Sequence, residues 1–240
     1  MRVGMSAAEV AELLPDVPRW VEVRGMLLED RARVLGLALF PTLAFTAVRP
    51  DTGDVGVVGI PSADSIHRAL DLCENVRTIL VSADSLPLIS ATLPDFSVEH
   101  ATLHTLGSPD TLPSPNGNVR LLARGEIAEL THLPPDLQEE LALADETGAE
   151  IAAAWQDVPV AFCYAGSVTE GLWDISIDTL KHYRRQGHAT QCVAFQISRF
   201  RSAGKSPVWG SLDSNVASAS LAAKLGFSPV DEIFVVTPPL

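Results

Sequence analysis

The sequence predicts a mixed α/β (α+β) protein built as two lobes. Three observations predict it. Short β-branched runs take turns with helix-patterned stretches along the chain. A segment poor in packing residues, Gly107 to Asn118 (GSPDTLPSPNGN), divides it near the middle. An apolar strand-like run, Leu172 to Leu180, feeds a glycine-containing turn that opens an amphipathic helix. The expected limits are 1–106 for the first lobe, 107–118 for the linker and 119–240 for the second lobe.

In the first lobe, Ala7 to Leu14 and Pro18 to Leu37 read as helices rich in good helix formers. Leu43 to Val48 and Val55 to Ile60 read as strands joined by the turn Pro50-Asp51-Thr52-Gly53. Ser62 to Asn75 reads as a helix capped by Ser62 or Asp64. Arg77 to Val81 is a β-branched strand, Ser85 to Thr92 a short helix, and Ser97 to Leu106 a strand with partial alternation.

In the second lobe, Val119 to Ala123 reads as a strand, and Glu126 to Thr131 and Pro135 to Leu143 as helices. Glu150 to Trp155 and Val158 to Ala165 read as strands joined tightly at Gln156-Asp157. Leu172 to Thr179 is the next strand. The helix Thr190 to Ser202 puts Ala189, Cys192, Val193, Ile197 and Phe200 on one side. Pro207 to Leu212 is a strand, Ala217 to Leu225 a helix stopped by Gly226, and Glu232 to Val236 the last strand.

Composition narrows the function classes. The chain has 240 residues, 47% hydrophobic, with a net charge of −13. No long Lys/Arg run marks a nucleic-acid binder, and the cluster Lys181 to Arg185 reads as local to an anion site. Cys73, Cys163 and Cys192 are scattered in apolar runs, which fits reduced thiols in a cytoplasmic protein. No Cys/His spacing suggests a metal. Met1 to Pro15 lacks the pattern of a signal peptide. The most apolar stretch, Val34 to Val48, is too short to span a bilayer and is broken by Pro41; it reads as a buried helix end followed by a strand. Neither a nucleic-acid nor a membrane partner is expected.

The turn Tyr183-Arg184-Arg185-Gln186-Gly187-His188-Ala189 carries the chemistry. The first N–H groups of a helix have no partner within it, and the dipole there is positive, so this turn suits a pyrophosphate. Gly187 permits close backbone approach, and Ala189 is small. Arg184 and Arg185 add charge-assisted contacts to phosphate oxygens. There is no Gly-x-Ser-x-Gly elbow, no Gly-Lys-Ser/Thr phosphate loop and no three-glycine dinucleotide fingerprint.

With these residues in this order, the region from Asn118 to Leu240 resembles the GNAT superfamily of acetyl-CoA-dependent N-acetyltransferases. Arg184-Arg185-Gln186-Gly187-His188-Ala189 matches the family's Gln/Arg-x-x-Gly-x-Gly/Ala turn. Asn215 through Ser218 and Leu221 to Lys224-Leu225-Gly226-Phe227 match its second signature, an Asn-opened helix ending in Leu-Gly-Phe. Asp174 to Thr179 and Trp209 to Phe227 look most like the zwittermicin-resistance type. The resemblance implies a mixed, mostly antiparallel sheet flanked by helices. It also implies a smaller, divergent first lobe, with a degenerate GNAT half as one reading of it.

The resemblance further implies acetyl transfer from acetyl-CoA (coenzyme A) to an amine of a small molecule or peptide. Cofactor contacts fall on Ile177, Asp178, Thr179, Arg184, Arg185, Gln186, Gly187, His188, Ala189, Thr190, Asn215 and Ser218. In relatives the strand at Ile177 to Thr179 pairs with the pantetheine arm and gives an N–H to the acetyl carbonyl, an oxyanion donor worth about 3 kcal/mol. Asn215 contacts the pantetheine arm or fixes the turn into the helix.

An attacking amine must be neutral, so a base or water relay takes its proton. Asp174 is the first candidate for that role, with Asp178 and Glu170 as alternatives. Alternation puts Asp174, Ser176 and Asp178 opposite Trp173, Ile175 and Ile177. Relatives commonly place a Tyr acid where this chain has Ala222; Ser218 or Ser220 takes part of that role, or the thiolate leaves unassisted. His182 and His188 flank the turn as surface residues or proton shuttles. Trp155, Trp173 and Trp209 are expected in the core, with Trp209 also open to lining the amine side of the cleft. Two readings stay open: a transferase, including a resistance or self-protection factor as a subclass, and a non-catalytic acyl-CoA-binding or regulatory module. A homodimer is also left open.

Overall fold

A computed structural model describes residues 5–29, 31–108, 112–114 and 117–239. Its elements in chain order are α1 (Ala7–Ala11), α2 (Val21–Leu28), β1 (Arg33–Ala38), β2 (Ala44–Arg49), β3 (Asp54–Val58), α3 (Ala63–Leu70), β4 (Thr78–Val81), α4 (Leu86–Thr92) and β5 (Ser97–Leu106). They continue with β6 (Val119–Leu121), α5 (Pro135–Glu146), β7 (Ala152–Trp155), β8 (Pro159–Val168), β9 (Leu172–Thr179), α6 (His188–Ser202), β10 (Ser206–Leu212), α7 (Val216–Lys224) and β11 (Phe227–Thr237). The fold is α/β with mostly antiparallel strands flanked by helices.

The chain forms two compact units. The first comprises Met1–His104, Gly210–Ala219 and Pro229–Leu240; the second comprises Thr105–Trp209 and Ser220–Ser228. The chain first passes from one to the other at Thr105, beside the expected linker, of which 109–111 and 115–116 lie outside the described residues. The units depart from a simple sequential division: 210–219 and 229–240 group with the first.

The first unit orders its strands β1-β2-β3-β4-β11-β5. β2 and β3 are antiparallel, with Phe45 opposite Val58. β3 and β4 are parallel, joined through α3, with Val55 opposite Ile79. Val55, Val57, Ile66, Ile79, Val81, Ile89 and Val236 pack into its core. Burying side chains of this size contributes roughly 1.5–3 kcal/mol each. Ser62 caps α3 by accepting from the Ser65 N–H at 3.2 Å, while the Thr46 and Ser65 hydroxyls satisfy one another inside the unit at 3.1 Å.

Two first-lobe expectations need correction. The helix expected over Pro18 to Leu37 is a single 3₁₀ turn at Pro18–Trp20 followed by α2, and it ends by Leu28. Residues 33–38 are instead strand β1, paired antiparallel with β2. Gly36 explains the change: its φ is +64°, and an added Cβ would lie 2.7 Å from Ser65 Cβ, so the backbone bulges there. Val34 to Val48 is therefore a strand pair whose β1 arm is largely exposed, and no helix end lies within it. α3 stops at Leu70, short of the expected Asn75.

In the second unit the strand order is β10-β9-β8-β7-β6. β6, β7, β8 and β9 are successively antiparallel. β9 runs parallel to β10 through the crossover helix α6. Each unit thus contains an antiparallel strand pair followed by a parallel strand–helix–strand crossover. On one face, Ala161, Cys163, Trp173 and Ile175 pack against Cys192, Val193 and Ile197 of α6. On the other, Ala153, Phe162 and Tyr164 pack against Leu137, Leu141 and Ala144 of α5. Trp173 stacks on Phe200 at 4.4 Å, and Trp209 meets Phe227 edge-on at 5.3 Å, so both tryptophans are core residues. α6 begins two residues before the expected Thr190. No helix among the described residues is long and apolar enough to cross a membrane.

Gly53 tests the first unit. Its φ is +75°, its N–H donates to the Arg49 carbonyl, and an added Cβ would sit 2.0 Å from the Asn75 carbonyl oxygen. A left-handed conformation alone costs an alanine roughly 1–2 kcal/mol. Gly53→Ala is expected to destabilise the protein by at least about 2 kcal/mol, measured as a lowered urea midpoint.

Candidate active site

The site is built where β9 ends and α6 begins. After Thr179 the chain makes a 3₁₀ turn at Lys181–Tyr183. Arg184 is extended, Arg185 has φ +62°, and Gly187 has φ +89° as the N-cap of α6. Arg185 is the one non-glycine residue with positive φ among those described. Such a conformation costs of order 1–3 kcal/mol, and residues held in it cluster at ligand clamps. Turns that alternate handedness point successive N–H groups into one concavity, which suits an anion.

No side chain caps α6, in contrast to the serine caps of α1 and α3. The first hydrogen bond of the helix is Gln191 N–H to the Gly187 carbonyl at 3.1 Å. The N–H groups of His188, Ala189 and Thr190 lie in the turn before it. A Cβ built on Gly187 would have nothing within 4 Å, so the space in front of the turn is open. A hollow of about 160 Å³ beside it is lined by Asn118, Ala154, Gln186, Gly187, His188 and Gln191. These features fit a phosphate group: backbone donors, positive helix end, room for the anion.

Side chains around the turn are organised differently from the expectation. Arg184 folds back so that its Nε–H donates to the Thr179 carbonyl at 3.1 Å. That contact ties the turn to the end of β9, while Arg185 stays in solvent. The Gln186 side-chain amide donates to the His182 carbonyl at 3.1 Å. Gln156, in the β7–β8 turn, donates to Gln186 Oε1 (3.3 Å) and to His188 Nε2 (3.1 Å). His188, also edge-on to Tyr183, is therefore a structural tie of the helix start. A larger neighbouring hollow contains Arg120, which lies over the Trp155 ring at 4.2 Å and pairs with Glu126 at 2.6 Å. Its charge is already matched.

Strand β9 supplies the second part. It pairs with β8 as far as Thr179, but its register with β10 covers only Leu172 to Asp174, opposite Ser206 to Val208. Asp174 thus stands where the parallel ladder stops. From Asp174 to Thr179 an extended strand covers roughly 17 Å. The β8 ladder is irregular between Ala165 and Val168, across from Asp174. An added Cβ on Gly166 would come within 3.1 Å of the Asp174 carboxylate and 3.2 Å of the Ser176 hydroxyl. Gly166 therefore makes the space those two side chains occupy.

Asp174 is densely surrounded by protein yet keeps some opening to solvent. Burial pushes its carboxyl up to about 7, against the hydrogen bond from the Ile175 N–H. Asp178, on the same face, is pushed up to about 6, first by burial and then by Glu140 and Asp136, with Arg184 opposing. Glu140 accepts from the Tyr164 hydroxyl at 2.7 Å. Glu170 is exposed in the β8–β9 turn, at the end of β9 remote from the anion turn.

Asp174, Ile177, Asp178, Thr179 and Arg184 to Thr190 all lie in the second unit. Asn215 and Ser218 lie in the first. There Asn215 Oδ1 accepts from the Ser218 N–H at 3.1 Å and fixes the first turn of α7. Ala222 is fully buried beside Leu225 and Phe227, so that position carries no proton donor and faces core.

Sequence reasoning passed over Gly166, Gln156 and Gln196. Gly166 had a signal, because a glycine inside a strand pattern marks a bulge or close approach. Gln196 is buried in α6 and donates to the Glu150 (2.5 Å) and Cys163 (3.0 Å) carbonyls, which sets the helix on the sheet. Its helical periodicity gave no hint of that.

Residues 145–235 match the family model described as GNAT acetyltransferase. No curated protein matches the sequence. Among solved structures, a GCN5-related N-acetyltransferase-like protein from Streptococcus suis is similar at TM-score 0.67 and 18% identity, covering 97% of this chain and 98% of its own. A GCN5-related N-acetyltransferase from Kribbella flavida gives TM-score 0.56 at 14% identity, covering 99% and 97%. A tandem GNAT protein from the clavulanic acid biosynthesis pathway gives 0.56 at 14%, covering 96% and 92%. At these identities the structures speak for the fold. Residues 145–235 are thus similar to the GNAT acetyltransferase model, and the chain shares its fold with these structures.

Proposed function

We propose that the protein transfers an acetyl group from acetyl-CoA to an amine of a small molecule or peptide. The observation that carries this reading is the uncapped start of α6 behind the left-handed residues Arg185 and Gly187. When bound, acetyl-CoA supplies a thioester electrophile and a thiol leaving group. The backbone N–H groups of His188, Ala189 and Thr190, with Gly187 and the exposed Arg185, would hold its pyrophosphate. Ile177, Asp178 and Thr179 would offer their backbone edge beyond the β10 ladder to the pantetheine arm.

Asp174 and Asp178 would draw in an ammonium group, and Asp174, poised near neutrality, would take the proton that leaves it. Asp178 remains the alternative base; the exposed Glu170 is the weaker one. No acid is needed if the thiolate departs unassisted, which fits the buried Ala222; Ser220, exposed in the second unit, is the hydroxyl left to assist. Ala222 also favours a second reading, an acyl-CoA-binding or regulatory module without transfer. The likeness to the zwittermicin-resistance type stays part of this proposal and names no acceptor.

We keep the sequence division, with residues 1–106 as a divergent GNAT-like half. Its equivalent turn, Gly59 to Ser62, contains Pro61, which has no N–H, and Ser62 already caps α3. One acyl-CoA per chain follows. We place the protein in the cytoplasm, on the scattered free thiols Cys73, Cys163 and Cys192.

A thermal-shift titration with acetyl-CoA, followed by thiol release against a panel of amines, tests the reading. A rise in Tm with release for some amine is expected. A shift without release for any amine would favour the module, and no shift at saturation would remove the reading of the turn.

Gly187→Val keeps a left-handed N-cap only at a cost and fills the open space before the turn. It is expected to weaken coenzyme A binding at least about tenfold by calorimetry.

Asp174→Asn is expected to keep coenzyme A affinity while kcat falls roughly 10²–10⁴-fold. The wild-type rate should decline as pH drops through about 7, and the variant should lack that limb. The raised carboxyl means the folded state holds its proton more tightly, so stability declines as pH rises between the unfolded value and about 7. The variant removes that loss, and its Tm at pH 8 is expected to match or exceed the wild type.

A further inference from the structure

A hollow of about 430 Å³ opens beside the start of α6, lined by Gly117, Asn118, Arg120, Trp155, Gln156 and His188. All six residues belong to the second unit. The volume falls within the roughly 300–1,000 Å³ of small-ligand sites. The hollow shares Asn118 and His188 with the smaller one in front of Gly187, so the two adjoin.

Arg120, on β6, is held in place before any ligand arrives. Its guanidinium carbon stands 4.2 Å from the centre of the Trp155 ring on β7. Nη1 and Nη2 donate to the two Glu126 oxygens at 3.0 and 2.6 Å, and Nη1 also donates to the Leu121 carbonyl at 2.9 Å. Glu126 itself accepts from the Ala123 N–H at 2.8 Å. Trp155 is fixed in turn, because its backbone N–H donates to the Asn118 carbonyl at 2.8 Å and its side chain packs on the α5 face of the sheet. One face and one edge of the guanidinium are thus occupied, while the Arg120 side chain stays 50% exposed. A planar cation held this way offers its other face for stacking, and guanidinium planes stack on nucleobases. Glu126 balances its charge, so the platform suits a flat, neutral ring better than a phosphate. Gln156 forms a second wall. Its amide nitrogen donates to Gln186 Oε1 and His188 Nε2, which leaves its Oε1 as an acceptor for an exocyclic amino group.

We propose that this hollow is the subsite for the adenine base of the coenzyme, with the base stacked on the Arg120 guanidinium. The proposal rests on the acyl-CoA function given above. The strand order β10-β9-β8-β7-β6 sets the direction of the ligand. The pantetheine arm is assigned to the edge of β9 on the β10 side, and the diphosphate to the turn at Gly187. The hollow at β6 and β7 lies beyond that turn, on the other side of β9. The part of coenzyme A that continues past its diphosphate is the adenosine. A platform fixed in advance also spares the ordering cost of a loose side chain.

Calorimetry on the full chain compares wild type, Arg120→Leu and Arg120→Lys. The ligands are coenzyme A, dephospho-coenzyme A without the 3′-phosphate, and pantetheine 4′-diphosphate without the adenosine. Wild type is expected to bind coenzyme A at least about fivefold more tightly than pantetheine 4′-diphosphate. Arg120→Leu is expected to weaken coenzyme A and dephospho-coenzyme A alike, by about five- to thirtyfold, and to leave pantetheine 4′-diphosphate within about twofold. Arg120→Lys keeps the charge without the plane and is expected to behave as Arg120→Leu does. The affinity for pantetheine 4′-diphosphate, read beside Tm, reports whether each variant keeps its fold and its turn.

Full coenzyme A affinity in Arg120→Leu would overturn the subsite. Equal weakening of all three ligands would do the same and make Arg120 a support of the turn. Restored affinity in Arg120→Lys, or a loss that disappears with dephospho-coenzyme A, would give the hollow to the 3′-phosphate and overturn the base. Equal binding of coenzyme A and pantetheine 4′-diphosphate by wild type would overturn the subsite whether or not the variants fold, and would leave the proposed function standing. No binding of any of the three by wild type would overturn the proposed function and the subsite with it.

Discussion

The candidate site depends on how β9 ends. A parallel strand–helix–strand crossover must reverse direction over the face of its own sheet. Here it does so through two left-handed residues, Arg185 and Gly187, and enters α6 with no side-chain cap. The same constraint has two consequences. It brings α6 down onto β8 and β9, where Cys192, Val193 and Ile197 bury against Cys163 and Ile175. It also leaves a full turn of backbone donors facing open space. Gln196 then locks the helix by satisfying two strand carbonyls that burial would otherwise leave unpaired.

The two faces of the second unit divide the labour. The α6 face is apolar and carries the packing. The α5 face holds Asp174, Ser176 and Asp178 on β9, with Tyr164 and Glu140 nearby, and tolerates ionisable groups because Gly166 gives them room. Carboxylates held half-buried become weaker acids, which hinders a surface charge but suits a proton acceptor near neutral pH. The turn into α6 and Asp174 lie at opposite ends of one extended stretch of β9, so a single strand fixes the distance between them.

The first unit repeats the strand pairing and the crossover without the anion turn. Pro61 removes a donor and Ser62 consumes another, so the equivalent helix start is closed. The segment containing Asn215 and the strand β11 are also part of this unit, tied there by His100, Asp213 and Glu232. Residues far apart in sequence thereby share one charge cluster.

The sequence by itself determined the elements that rest on local chemistry. The strand over Leu172 to Thr179, the turn through Gly187, the serine cap of α3 and the opposed faces of β9 follow from period-two alternation, cap residues and glycine, which act within a few residues. Tertiary structure alone decided what depends on distant partners. Residues 33–38 became a strand because β2 offered a ladder and Gly36 a bulge, overriding a helical pattern. Arg184 turned back to Thr179, His188 was pinned by Gln156, and Asn215 became a cap, because hydrogen bonds form with whatever the fold brings within reach. The ionisation of Asp174 was equally hidden, since burial belongs to the packed sheet and no local pattern records it.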